Sequence, residues 1–297
     1  MYNQIDSNIR KTILLMAIFF IFVIFVGWVF TQYTDTGYGG LIFAVLFASG
    51  TSLFSYYGGD KVALLTSGAK GPIVQSDNPY LYRIIENLAI TAGLPLPKIY
   101  IIPDAAINAF ATGRNPQHAS IAVTTGAIEK LKNEELEGVI AHELSHVKNY
   151  DILLMTVVII LVGLLALLSD WFIRFRFFGR KSDNEEGGGQ LQAILMIFGL
   201  IFLIFSPLIG KLIQLAISRR REFLADSAGA LLTRYPEGLA RALEKIAAEN
   251  MPLKSANNAT AHLYIANPFG RAKRSFANLF ATHPPIQERI AILRKML

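Results

Sequence analysis

The chain contains no cysteine among its 297 residues, and that absence excludes two kinds of chemistry. No disulfide can brace an exported domain, and no thiolate can ligate a metal. Charge is scarce as well. Asp, Glu, Lys and Arg make up 17% of the residues, against about 25% in soluble domains. The shortfall is concentrated in four runs without any charge: Thr12–Thr34, Thr36–Gly59, Ile152–Ser169 and Gly187–Gly210. Each reaches or exceeds the roughly 18–20 residues that cross a bilayer. The first is not a cleaved secretory signal, because its apolar stretch is long and no small-x-small site follows Phe30. The composition therefore predicts an integral membrane protein. A transporter would place ionisable side chains inside its spans, and these runs hold none.

The formal net charge of +6 invites a nucleic-acid partner. The basic residues argue otherwise, since they gather at membrane flanks: Arg10 and Lys11, Lys61, then Lys211 and Arg219–Arg221. That distribution is the positive-inside pattern. It predicts a cytoplasmic amino terminus, an external loop at Asp35–Gly40 and a cytoplasmic segment after Gly59, with the lipid bilayer and not nucleic acid as partner. The tip Asp170–Gln190 resists this counting, because Arg174, Arg176, Arg180 and Lys181 favour the inside. The hairpin around it therefore spans fully or only in part.

Between the second and third runs the chain has the texture of a soluble domain. Tyr80, Ile84, Leu88 and Ala92 fall at helical spacing, which predicts a helix over Asn78–Ala92 closed by Gly93 and Pro95. Strands are predicted at Lys98–Ile102, Asn108–Thr112 and Ser120–Thr124. Asn133 can cap a helix whose first turn carries Glu134, Glu135 and Glu137, where acids favour the dipole. Helices are also predicted near Pro236–Glu249 and Pro285–Met296. The stretch Pro252–Thr282 reads as irregular.

The helix after Asn133 carries His142-Glu-Leu-Ser-His146. Histidines four apart leave one helix face about a turn from each other, so both can bind one Zn²⁺. Glu143 is then placed to act on a water molecule and not on the metal. A catalytic zinc needs a third protein ligand and an open position. The extended motif with a glycine and a third histidine is absent, since Asn149 and Ile152 stand there. His118, His262 and His283 remain as histidines. Glu222 and Asp226 also share a helix face, where they could serve as ligand and as histidine partner, or could balance Arg219–Arg221. Spacing leaves that choice open.

These motifs, with Asn108-Ala-Phe-Ala-Thr-Gly113 and Thr282-His-Pro-Pro285, together resemble the HtpX family of membrane zinc endopeptidases, relatives of the prenyl-protein (CAAX) peptidases. The resemblance covers nearly the whole chain, and no motif position departs from the pattern. It implies a gluzincin with one Zn²⁺ per chain on His142, His146 and Glu222, Glu143 as general base and Asp226 behind a ligand histidine. It further implies His283 as the oxyanion donor, with Arg289 nearby as a substrate-binding residue, and an exposed edge strand at Asn108, Ala109, Phe110 and Ala111 that pairs with substrate. The implied role is cleavage of damaged or misfolded membrane proteins and unfolded polypeptides in the bacterial cytoplasmic membrane. An inactive or non-proteolytic metal-binding membrane protein is the alternative, and the intact Glu143 argues against it.

The expected fold class is α+β: a mostly helical integral membrane protein with a small antiparallel sheet and about four transmembrane helices. Residues 1–59 form a first membrane hairpin, with spans at about 13–30 and 38–57. Residues 60–151 and 211–297 form the two parts of a cytoplasmic protease domain. Residues 152–210, with spans at about 152–169 and 191–210, form a second hairpin inserted between them.

Overall fold

The computed structural model describes residues 2–33, 38–178, 219–249, 251–256, 260–270 and 284–296. The fourth apolar run, Gly187–Gly210, and His283 lie outside the described residues. The chain opens with two long helices, α1 (Tyr2–Tyr33) and α2 (Gly39–Thr66). Both are long and apolar enough to cross a membrane. The third run lies in α6 (Asp151–Phe178), which follows α5 (Asn133–Lys148) across an 82° bend, and the two together are long and apolar enough for a broken span. Of the four expected spans, two are present as separate helices among the described residues, and the third run lies within this bent pair.

Helices within lipid gain little from burying apolar surface, so close packing and polar contacts hold them together. Leu15, Phe19 and Phe22 of α1 pack on Leu154, Val158 and Leu161 of α6. Gly59 lets α2 approach α6, because a Cβ there would lie 2.6 Å from Thr156 Cγ2.

The remaining elements form the soluble layer. Helix α3 (Pro79–Ala92) begins where the Asn78 side chain accepts a hydrogen bond from the Leu81 N–H (3.0 Å) and ends at Gly93 with φ of 68°. The closure at Gly93 matches the sequence expectation, while Asn78 caps the helix from outside and does not form its first residue. Strands β1 (Lys98–Ile102), β2 (Ala109–Gly113) and β3 (Ala119–Thr124) follow, within a residue of their predicted bounds. The sheet order is β1-β3-β2, with β2 antiparallel to β3 but β1 parallel to it. The sheet is thus mixed, which corrects the antiparallel expectation. The link after β1 carries the chain past β3 before β2 starts, so β1 and β3 run the same way.

After α4 (Thr125–Lys130), helix α5 starts one residue differently from expectation. Lys132, not Asn133, is the capping residue, because the Glu135 carboxylate accepts a hydrogen bond from the Lys132 N–H (2.7 Å). Helices α7 (Arg219–Thr233), α8 (Pro236–Glu249) and α9 (Ile286–Arg294) complete the described part. One core joins α3, the sheet, α5, α8 and α9 through Leu81, Ile121, Ile140, Leu243 and Leu293. Helix α5 runs through its centre, with Leu136, Ile140 and Leu144 buried on successive turns.

Candidate metal centre

Three local features bring the site together. The first is helical spacing on α5, which sets His142 and His146 one turn apart. The second is the corner after it. Tyr150 has φ of 58°, the left-handed region that a residue with a side chain enters at about 1–2 kcal/mol. This turn starts α6 at once and swings Asp151 back under His146. The third is α7, which carries Glu222, Asp226 and Gly229 at i, i+4 and i+7, one face of a helix. Gly229 sets the approach of that face: a Cβ on it would lie 2.9 Å from the His142 backbone nitrogen and 3.2 Å from Ala141 C.

The ligand-type atoms of His142, His146 and Glu222 all lie within 4.8 Å of one another, and all three residues are buried. The two Nε2 atoms are 3.2 Å apart. Glu222 Oε1 is 3.6 Å from His146 Nε2, and Oε2 is 3.9 Å from His142 Nε2. Behind each imidazole stands a carboxylate: Asp226 Oδ1 at 2.9 Å from His142 Nδ1, and Asp151 Oδ2 at 3.0 Å from His146 Nδ1. Each carboxylate fixes its ring with the proton on Nδ1. Both Nε2 lone pairs then point at the same place, which is repulsive unless a proton or cation sits between them.

The electrostatics follow from this crowding. Burial holds His142 below its ordinary value, against the pull of Asp226. Burial also works against protonated His146, but the hydrogen bond to Asp151 and the negative Glu222 outweigh it and push it up to about 9. Without a cation, a proton on His146 is thus what relieves the two lone pairs. Burial pushes the Glu143 carboxyl up to about 8, with protonated His146 opposing and Glu222 adding to the rise. The Ala111 backbone N–H hydrogen-bonds this carboxylate, while Glu143 Oε1 is buried with no hydrogen-bond partner. A buried carboxyl with one oxygen unsatisfied needs a reason, and a water molecule at a metal supplies one.

Arg289 was expected near the substrate. The structure places it instead beneath the site, fully buried. Its Nε and Nη2 donate to the two oxygens of Asp226 at 2.8 and 2.7 Å, and its Nη1 donates to Ile265 O at 2.9 Å. Burial alone opposes the charge on Asp226, yet this guanidinium holds its carboxyl below the usual range. Asp226 therefore pairs with an arginine, although not with Arg219–Arg221.

Strand β2 lies at the sheet edge as expected, but all five of its residues are buried, which corrects the expected exposure. The Ile265 N–H donates to Ala109 O (3.1 Å), Asn108 Nδ2 donates to Ala266 O (3.3 Å), and Tyr264 packs edge-on against Phe110. At the other end Gly113 N–H donates to Thr156 Oγ1 (3.2 Å). His118 lies apart from the site on Asn115, and His262 Nε2 is 3.1 Å from Met155 O. Asp151 is the site residue that the motif reading missed. Its position five after His146, directly past the end of α5, was the available signal.

A divalent cation fits these residues. Tetrahedral zinc with bonds of about 2.0–2.1 Å separates its ligand atoms by about 3.3–3.4 Å, and the two Nε2 atoms already stand 3.2 Å apart. The donor set, two imidazoles and one carboxylate, suits zinc and leaves a fourth position.

Two histidines and a glutamate converging beside an unsatisfied glutamate are what peptide hydrolysis at a metal requires. Here they stand at the foot of helices fit to cross a bilayer, which defines a membrane metalloprotease. The profile of peptidase family M48 matches residues 75–297, more than half of the chain, and the protein belongs to that family. It is 44% identical over 300 residues to a protease HtpX homolog of Thermoanaerobacter pseudethanolicus, covering 100% of this chain and 98% of that one. A protease HtpX homolog of Dictyoglomus turgidum is 44% identical over 296 residues, covering 99% and 94%. Among solved structures, the crystal structure of S. mikatae Ste24p matches with a TM-score of 0.52 and 20% identity. That match covers 99% of this chain and 66% of the other, and it speaks to the fold alone. The resemblance to the HtpX family therefore holds along the full length, and the protein is a metalloprotease, a hydrolase of peptide bonds.

Proposed function

We propose that the protein is a zinc-dependent endopeptidase of the bacterial cytoplasmic membrane that cleaves damaged or misfolded membrane proteins and unfolded polypeptides. The observation that carries this is the convergence of His142, His146 and Glu222 within 4.8 Å. In this reading they hold one Zn²⁺, and His283 donates to the developing oxyanion. A zinc ion held there supplies a Lewis acid for the scissile carbonyl and lowers the pKa of a water toward ~7. Glu143 takes the proton of the attacking water and returns it to the leaving amine. Asp226 and Asp151 keep the Nε2 lone pairs aimed at the metal position.

Asn108, Ala109, Phe110 and Ala111 bind the substrate main chain by strand addition. For that, the Tyr264–Ala266 segment must leave the β2 edge and break the bond from Ile265 N to Ala109 O. The amino terminus and the metal site face the cytoplasm. Supporting this, Asn8, at the amino-terminal end of α1, lies against the site, so the two share a side. A site level with the first turns of α1 also stands where a membrane-embedded substrate can reach it.

The test is hydrolysis of an unfolded protein by the detergent-solubilised chain, with and without a zinc chelator. Glu143→Gln keeps the shape and removes the base. It is expected to keep its zinc and to lose about 10²–10⁴-fold in rate. Near-wild-type hydrolysis by the pure, metal-loaded variant would refute the mechanism.

A further inference from the structure

A buried asparagine in an apolar helix is expensive unless its amide is fully used. Asn8 of α1 is 4% exposed and uses both ends. Its Nδ2 donates to Asp151 Oδ1 (2.7 Å) and to Asn149 O (2.8 Å), and its Oδ1 accepts from Arg221 Nη2 (2.8 Å). Arg221 Nε in turn meets Asp151 Oδ1 at 2.9 Å. Three segments far apart in sequence thus close on one carboxylate: α1, the corner between α5 and α6, and the first turn of α7. The other oxygen of that carboxylate, Oδ2, stands on His146 Nδ1.

We propose that Asn8 is a positioning residue of the metal centre, so that the first membrane helix forms part of the zinc site as well as an anchor. The inference rests on the zinc reading above. A lone Asp151 could turn about its Cβ–Cγ bond and carry the His146 ring with it. Asn8 and Arg221 prevent this by holding Oδ1 from two directions. Arg221 directly precedes Glu222, so the same cluster sets the start of the turn that brings in the carboxylate ligand. Two of the three ligands therefore take their orientation from a cluster completed by α1. The Asn8 side chain is buried among protein groups and away from lipid, so anchoring alone gives no reason for an amide here.

The experiment uses the full chain in detergent and reads zinc affinity by chelator competition, together with the visible spectrum of the cobalt-substituted protein. Asn8→Ala removes the whole amide. Asn8→Asp keeps its size and its acceptor for Arg221 but deletes the donor. Both are expected to weaken zinc binding about tenfold, the lower end of the range for groups behind a ligand, and to shift the cobalt bands. In an Asp151→Asn background, Asn8→Ala should add less than about a twofold change, because its effect passes through Asp151. Ile13→Ala, at an exposed position of the same helix (61%), should change neither readout.

A plain anchor would lower thermal stability and leave zinc affinity and the cobalt spectrum as in the wild type, which would overturn the proposal. Additive effects of the Asn8 and Asp151 changes would overturn it too. So would failure of both Asn8 variants to fold, since Asn8 would then be a folding determinant. His146→Ala separates the two levels. If it abolishes zinc binding while the Asn8 variants keep it, only this proposal fails. If the wild type takes up no zinc, the reading beneath it fails.

Discussion

Asp226→Asn is the substitution for which the structure sets the largest consequences. The residue does two things at once: its Oδ1 stands 2.9 Å from His142 Nδ1, and its two oxygens receive bonds from the buried Arg289 guanidinium at 2.8 and 2.7 Å. An amide has one acceptor oxygen and one donor nitrogen. Whichever way it is turned, its NH₂ group faces a donor of Arg289, Nε at the Oδ2 position or Nη2 together with His142 Nδ1 at the Oδ1 position. Loss of the charge also leaves Arg289 buried without its main counter-ion. Breaking a buried pair from one side costs about 3–5 kcal/mol. The effect on the metal is separate: about 10–100-fold in zinc affinity for losing a carboxylate behind a ligand, which is about 1.4–2.7 kcal/mol. Thermal unfolding in detergent and chelator competition read the two effects independently. A variant with wild-type melting and wild-type zinc affinity would refute the assignment of Asp226 to both partners.

Other expectations follow from the packing and the topology. Gly229→Ala puts a methyl group against the His142 backbone, so α7 must shift; about 1–3 kcal/mol of stability should be lost, with a matching fall in zinc content. Unchanged zinc content would mean that the α5–α7 spacing does not set the site. An introduced cysteine at Ser182, beyond the described residues, reports the second hairpin: labelling only from the cytoplasmic side would mean that 152–210 does not span.

Elements specified by neighbouring residues are legible in the sequence. The periodicity of Tyr80, Ile84 and Leu88, the Asn78 cap and Gly93 mark α3, and turn residues bound the three strands. The histidines and Glu143 are legible for the same reason, since all three sit within five residues on one helix. What is not legible depends on contacts between distant segments. The parallel pairing of β1 with β3 is a matter of chain path. Arg289 has the pattern of a surface residue on a short helix, yet it meets Asp226 at a separation of 63 residues. The covering of β2 by Ile265 depends on a stretch with no periodic pattern. Asn8 meets Asp151 across 143 residues and Arg221 across 213. Such a contact leaves no distinct trace in the sequence, where Asn8 is one of several polar residues, with Asn3, Gln4, Asp6, Ser7 and Arg10, ahead of the first apolar run.

The central claim is that His142, His146 and Glu222 hold one catalytic zinc, and metal analysis of purified variants tests it most directly. Wild type and Glu143→Gln should each carry one zinc per chain, while Glu222→Ala should lose most of its zinc and its activity, because two histidines leave the site one protein ligand short. If Glu222→Ala retains one tightly bound zinc per chain, the third ligand lies elsewhere and the account of the site is wrong.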